Sequence, residues 1–169
     1  MFLDESGCNT DMTRRYAYSL GGSRTVDSAP LSKPKNTTML SSIQLDGTLR
    51  YTTFSGGTTV ERFKRYLETD WLPHLNGNSV LIMDNMRSHH AKAVRNLLDS
   101  SGIRYIYLPP YSPDLNPIEK LWSKVKAFLR KFKARTLDAL PNTMQCAFQT
   151  VSPSDCSGWF HSCGYSPYF

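Results

Sequence analysis

Three acids in the chain stand where a carboxylate could hold a cation instead of merely facing water. Asp4 closes the apolar stretch Phe2-Leu3, and Asp84 closes the continuous run Ser79-Val80-Leu81-Ile82-Met83. Glu119 falls in the first turn of a helix entered through the stiff segment Pro109-Pro110-Tyr111-Ser112-Pro113. If the two strands lie near each other in one sheet, their acids meet at one edge, and the helix adds the third. Carboxylates so gathered repel one another and need cations to coexist. Oxygen ligands with room for water suit Mg2+, which keeps part of its hydration shell and takes other ligands from phosphate; Mn2+ accepts the same donors. Two such ions about 4 Å apart would activate an attacking oxygen and stabilise a leaving one in a phosphoryl displacement.

Each acid also has a plainer role open to it. Asp84-Asn85 is a common turn pair. Asn116-Pro117-Ile118-Glu119 fits a capping box, with Asn116 as N-cap, Pro117 at the first helical position and Glu119 at the third. Asp4 has Glu5 beside it, and either could be the inward acid. The charge around Glu119 favours chemistry. From Lys120 to Arg135 there are seven basic residues (Lys120, Lys124, Lys126, Arg130, Lys131, Lys133, Arg135) and no acid. Ile118, Leu121, Trp122, Val125, Phe128, Leu129 and Phe132 form the apolar stripe, and Lys126, Arg130 and Lys133 fall within about 40° of Glu119 beside it. A solvated helix usually mixes charge signs. A carboxylate aligned with cations suits a phosphate backbone crossing a metal site, so Lys120, Lys124, Lys126, Arg130 and Lys133 are candidate DNA contacts.

The elements that must position these groups read as follows. Phe2-Leu3-Asp4 is the end of a buried strand, with Ser6-Gly7 turning away. Arg15-Tyr16-Ala17-Tyr18 alternates like a short strand, which Gly21-Gly22-Ser23 breaks. Thr37–Leu45 and Thr48–Phe54 form a hairpin around a two-residue type I′ turn at Asp46-Gly47. Thr58 or Thr59 caps a helix to about Leu72, with Val60, Phe63, Leu67 and Trp71 inward. The run ending at Asp84 has the look of a central strand buried on both faces. A helix from about Ser88 to Asp99 and a strand from Ile103 to Leu108 follow, implying a parallel crossover. Helices then run from Pro117 to about Phe132 and from about Thr136 to Thr150, the second tolerating Pro141 in its first turns. The Ser-, Pro- and Gly-rich tail from Val151 to Phe169 reads as short turns packed on the domain. The expected fold class is α/β, a mixed sheet with helices on both faces, over residues 1–150 with the tail at 151–169.

Length and composition set the outer limits. The 169 residues suit one domain. The apolar fraction of 40% and the aromatic fraction of 12% argue against disorder. A net charge of +6 favours a polyanionic partner without proving one. No apolar run approaches a membrane span, and Met1 to Glu5 does not read as a signal peptide, so a cytoplasmic protein is expected. The four cysteines (Cys8, Cys146, Cys156, Cys163) include no C-x-x-C pair. His161 and Cys163 could form half a metal site, against the simpler reading of tail packing.

At this point the motifs resemble a family. Leu-Pro-Pro-Tyr-Ser-Pro-Asp-Leu-Asn-Pro-Ile-Glu-Lys-Leu-Trp, from Leu108 to Trp122, is similar to the signature segment of the mariner superfamily of transposases, especially its bacterial insertion-sequence branch. Phe2-Leu3-Asp4-Glu5-Ser6-Gly7 resembles that family's first-aspartate strand, and Leu81-Ile82-Met83-Asp84-Asn85, followed by His89, its second. Thirty-four residues lie between Asp84 and Glu119, a typical spacing for these elements. The resemblance implies a ribonuclease-H-like fold and a DDE triad of Asp4, Asp84 and Glu119 binding two Mg2+. It implies hydrolytic cleavage of double-stranded DNA at the element's ends, then attack of the freed 3′-hydroxyl on target DNA, without a covalent enzyme intermediate. A homodimer on DNA and a bacterial cytoplasmic or nucleoid setting follow by the same analogy. Asn85, His89 and Asn116 would support the site, Asn85 and His89 by positioning the scissile phosphate or steadying Asp84, with helix capping or packing the alternative for His89. Family members carry a helix-turn-helix region before the first aspartate, which these residues do not include. A reading frame joined by frameshifting and a truncated, catalytically silent DNA-binding remnant are the two readings of that departure.

Overall fold

In the computed structural model of the chain, residues 1–14, 16–28, 30, 34–75 and 77–165 are described. Strands β1 (Phe2–Cys8), β2 (Thr37–Ile43), β3 (Leu49–Ser55), β4 (Val80–Met83) and β5 (Arg104–Tyr107) form one sheet in the order β3-β2-β1-β4-β5. The first three pair antiparallel; β1 with β4 and β4 with β5 pair parallel. Strand alternation explains why both faces are covered. Phe2, Cys8, Met39 and Ile43 join one buried cluster, while Leu3, Leu40, Leu81 and Met83 join the other.

Five α-helices among the described residues complete the layers: α1 (Val60–Tyr66), α2 (Lys92–Ser101), α3 (Ile118–Phe132), α4 (Ala139–Gln149) and α5 (Pro153–Ser162). Phe63 and Tyr66 of α1 and Val94 and Leu98 of α2 cover the face that carries Leu3. The stripe Ile118, Leu121, Trp122, Val125 and Leu129 of α3 covers the opposite face, with Leu140, Met144 and Phe148 of α4 and Phe160 of α5. Thr59 caps α1, its side chain accepting from the Arg62 N–H at 3.3 Å. That helix does not continue unbroken to Leu72. It widens into a π-helical turn at Leu67–Trp71 and tightens into a 3-10 turn at Leu72–His74, which contains Pro73.

Several expectations are corrected. β1 does not turn away at Ser6-Gly7: all seven of its residues pair with β2, from Phe2 opposite Ile43 to Cys8 opposite Thr37. The β2–β3 hairpin does not use a two-residue type I′ turn. Gln44 N donates to Thr48 O at 2.9 Å and Gly47 N to Gln44 O at 3.2 Å, enclosing a three-residue loop. Type I′ needs positive φ at both central residues, and here Gly47 (φ 90°) has it while Asp46 does not; the Asp46 carboxylate accepts from Thr48 N instead. A Cβ on Gly47 would lie 2.7 Å from the Cα of Pro153, so the turn seats the start of α5.

α2 starts at Lys92, four residues later than expected, after a turn that carries His89 inward. The segment after Val151 is not a set of short turns. Ser152 and Asp155 form a full capping box around Pro153, and the helix they start buries Cys156 and Phe160. Its last four residues, 166–169, lie outside the described residues, as does Arg15 of the expected short strand. Residues 16–18 form no strand; Tyr16 and Tyr18 are exposed, and no strand among the described residues pairs with them. No helix is long and apolar enough to cross a membrane among the described residues.

Candidate active site

Register brings two of the acids level. In the parallel pairing of β1 and β4, Phe2 stands opposite Ile82 and Leu3 opposite Met83, and there the pairing ends. One residue further along, the two strands carry Asp4 and Asp84. Leu108 N donates to Met83 O at 2.8 Å, which draws the Pro-rich segment after β5 over the same edge. The buried Ile118, Leu121 and Trp122 anchor the first turns of α3 and leave Glu119 exposed at the rim. Asp4, Asp84 and Glu119 thus line one cavity of about 450 Å³, together with Asn85, Met86, Leu108, residues 109–113 and Asn116. Tyr111 on its lip is fully exposed and has φ 57°, an uncommon backbone state outside glycine.

Asp4 is only 5% exposed. Its Oδ1 accepts from the Glu5 N–H at 2.7 Å; its Oδ2 accepts from Asn116 Nδ2 at 3.3 Å and Trp122 Nε1 at 3.2 Å. Burial pushes its carboxyl up, the Asp84 charge adds to this, and smaller effects of Glu5 and Glu119 act against the Glu5 N–H, with the result at about 7. The capping box that Asn116 and Glu119 could have formed is not made. The N-cap position is Pro117 with no side-chain cap, because the Asn116 amide is turned toward Asp4. That leaves the Glu119 carboxylate free of a capping role.

The donor set fits a hard divalent cation. Three carboxylates share the cavity, the most buried of them lifted toward neutrality by its burial and then by its acidic neighbours. Asn116, on the cavity wall, has its Oδ1 buried without a partner.

Behind Asp84 lies a second polar arrangement. Asp84 Oδ1 accepts from His89 Nδ1 at 2.8 Å and from Met86 N at 3.1 Å. The His89 ring is fully buried and stacks on Phe63 with centroids 4.2 Å apart. Its Nε2 is 3.2 and 3.1 Å from the two Glu5 carboxylate oxygens. Burial alone would lower the imidazole, but the bonds to Asp84 and Glu5 outweigh it and lift it to about 10. Burial likewise works to raise Asp84, yet the hydrogen bond and charge of His89 prevail and hold it below the usual carboxylate range. Ligand atoms of Glu5, Asp84 and His89 lie within 4.8 Å of one another. Both ring nitrogens of His89 thus stand at hydrogen-bond separation from a carboxylate, Nδ1 from Asp84 and Nε2 from Glu5. Asn85 lines the cavity and its Oδ1 contacts His90 Nε2.

The basic helix is less free than its own sequence suggests. Lys124 pairs with Asp155 of α5 at 2.6 Å, and Lys133 with Asp27 at 2.5 Å. Arg135 donates to the backbone oxygens of Thr10 and Met12. Lys120 is exposed next to Glu119, Lys126 is half-buried near Cys8, and Arg130 lines a shallow hollow with Arg14 and Tyr16. Two site residues were not singled out from the sequence: Trp122, read only as apolar stripe, and Glu5 as the partner of His89. For Trp122 a signal existed, since a buried indole N–H needs an acceptor. For Glu5, strand alternation set Asp4 and Glu5 on opposite faces without saying which face held the cavity.

Comparison with known proteins extends this geometry. The family model for the DDE superfamily endonuclease matches residues 1–141. The transposable element Tc1 transposase of Caenorhabditis elegans is 30% identical over 83 residues, covering 49% of this chain and 30% of that protein. A Mos1 transposase paired-end complex with the left transposon end matches with TM-score 0.74 at 17% identity, covering 96% of this chain and 52% of that one. The catalytic domain of Mos1 mariner transposase matches with TM-score 0.63 at 15% identity, covering 96% and 76%. The chain therefore spans about a third of the Tc1 transposase and about half of the Mos1 chain in its paired-end complex. Its mixed sheet and helices have the ribonuclease-H-like fold of the Mos1 catalytic domain. With the match running through both acid-bearing strands and the start of α3, the chain belongs to the DDE superfamily endonucleases, a family of nuclease-type enzymes.

Proposed function

We propose that this chain is the catalytic domain of a cut-and-paste transposase, which cleaves double-stranded DNA at the ends of an insertion sequence and joins the freed 3′-hydroxyl to target DNA. Asp4, Asp84 and Glu119 would hold two Mg2+, or Mn2+ in their place. Bound there, such ions supply positive charge at the phosphate and a more acidic water or hydroxyl nucleophile. The observation that carries the reading is the β1–β4 register, which ends one residue short of Asp4 and Asp84 beneath the α3 end bearing Glu119.

The chain's own residues have separable tasks. Trp122 and Asn116 orient the Asp4 carboxylate, while His89 steadies Asp84 and Asn85 faces the scissile phosphate. Lys120, Lys126 and Arg130 contribute positive charge along the DNA path. Lys124 and Lys133, already paired with acids, contribute less. Solved neighbours support the DNA partner and the metals: they include Mos1 paired-end complexes with transposon ends, with Mg and with Mn. Two copies acting together on DNA in a bacterial cytoplasm complete the reading, with the insertion-sequence branch inferred from the Leu108–Trp122 segment.

A supercoiled plasmid carrying the flanks of the coding region tests it. Nicking that requires Mg2+ or Mn2+ and disappears in Asp84→Ala is the expected result. DNA binding without cleavage under either metal would overturn it in favour of a catalytically silent DNA-binding remnant.

A further inference from the structure

The proposed function gives Glu5 no task, yet it is one of the most enclosed acids among the described residues. Its side chain is 5% exposed and sits on the face of β1 opposite Asp4. Its partner, 84 residues away in sequence, is a ring with no exposure at all. Burying a carboxylate so completely is costly unless a donor is fixed in front of it. Here the donor is His89 Nε2, almost equidistant from the two carboxylate oxygens.

The seam where β1 and β4 stop pairing makes this contact possible. Past Leu3 and Met83 the two strands no longer share hydrogen bonds, and His89 reaches between them to an acid on each. Its ring plane is set by stacking on Phe63. Its backbone is held by His89 N donating to Met86 O at 3.0 Å and by the Tyr107 hydroxyl donating to His89 O at 2.9 Å. One freedom would remain to such a ring, a half-turn about its Cβ–Cγ bond that puts Cδ2 and Cε1 where the two nitrogens now stand. Glu5 opposes that turn by holding Nε2, which keeps Nδ1 on Asp84.

We propose that Glu5 is a positioning residue of the metal site: through His89 it fixes the Asp84 carboxylate with Oδ1 engaged and Oδ2 left for a cation. The proposal rests on the reading of the acid cavity as that site. Outer partners that orient a metal ligand are typically worth 10- to 100-fold in metal affinity.

Binding of Mn2+ to the whole chain without DNA, followed by the electron paramagnetic resonance of the free ion, tests the idea in wild type, Glu5→Ala, Glu5→Gln and Asp84→Ala. Near-ultraviolet circular dichroism identifies the folded variants. The expected result is at least tenfold weaker binding in Glu5→Ala. A smaller but measurable loss is expected in Glu5→Gln, whose amide oxygen still accepts from Nε2. If Glu5→Ala fails to fold, Glu5→Gln decides alone. Wild-type affinity in the folded Glu5 variants overturns the proposal, because a purely structural Glu5 would lower the melting temperature and leave metal affinity unchanged. Loss in Glu5→Gln as complete as in Asp84→Ala also overturns it, by making Glu5 a ligand itself. Unchanged binding in Asp84→Ala would instead remove the cavity reading, and this inference with it.

Discussion

Replacing Asp4 by asparagine should make the metal-free protein more stable, and only at higher pH. Asp4 is buried against Asp84, and its carboxyl is raised from 3.8 to about 7. A raised carboxyl contributes its full stability below the unfolded value, and that contribution is lost as pH climbs through the folded one. At pH 8 the folded protein therefore carries a penalty of about 4 kcal/mol for an ionised Asp4. Asp4→Asn removes the charge and keeps the shape. Asn116, whose Oδ1 has no partner, can turn its amide to accept from the new one. Trp122 Nε1 then loses its acceptor, at a cost of about 1 kcal/mol. The net gain is about 2–3 kcal/mol at pH 8, which for a domain of this size raises the melting temperature by roughly 5–10 °C. At pH 5 the folded Asp4 is protonated but the unfolded one is still ionised, so the penalty shrinks to about 1–2 kcal/mol and the lost indole bond offsets it. His89 titrates in both proteins and largely cancels from the difference. Thermal unfolding by circular dichroism, in EDTA at both pH values and again with Mg2+ at pH 8, measures all three quantities. Mg2+ should stabilise the wild type and leave Asp4→Asn unchanged. A variant that melts below wild type at pH 8, or differs equally at both pH values, would refute the reasoning.

Two further perturbations separate the parts of the site. Trp122→Phe deletes the N–H that donates to Asp4 Oδ2; it should raise the Asp4 carboxyl further and cut cleavage near neutral pH by about tenfold, the scale of a lost hydrogen bond to a charged group. A pH–rate profile displaced upward, with partial recovery at higher pH, is the signature to look for, and an unshifted profile would count against it. Neutralising Lys120 and Lys126 together should weaken DNA binding evenly across sequences and reduce the salt slope by about 2. Lys124→Gln should barely change that slope, since its partner is Asp155, which also caps α5; a large change would mean the ion pair opens on DNA.

Much of this site was legible because it rests on local patterns that tertiary contacts reinforce. The apolar run before Asp84 is a strand buried between β1 and β5, and the period of α3 set Trp122 and Leu121 inward. What stayed hidden depended on partners from elsewhere in the chain. Asn116 was expected at the site only through the family resemblance, since its local sequence had a sound use as a helix cap; its contact with Asp4, 112 residues away, could not be read from that sequence. Lys124 and Lys133 lay on a helix stretch with no acid, but Asp155 and Asp27 reach them from α5 and from the β1–β2 connection. α5 was a different kind of miss. Its Ser152-Pro153 start and Asp155 spell a capping box, and the Ser-, Pro- and Gly-rich composition around them outweighed that signal.

Whether the three acids share cations can be seen directly. Crystals of the chain soaked in Mn2+ and measured at the manganese edge should give anomalous density inside the cavity, between Asp4 and Asp84 with Glu119 at its border. Density that avoids this cavity, or that appears instead between Glu5 and His89, would contradict the assignment.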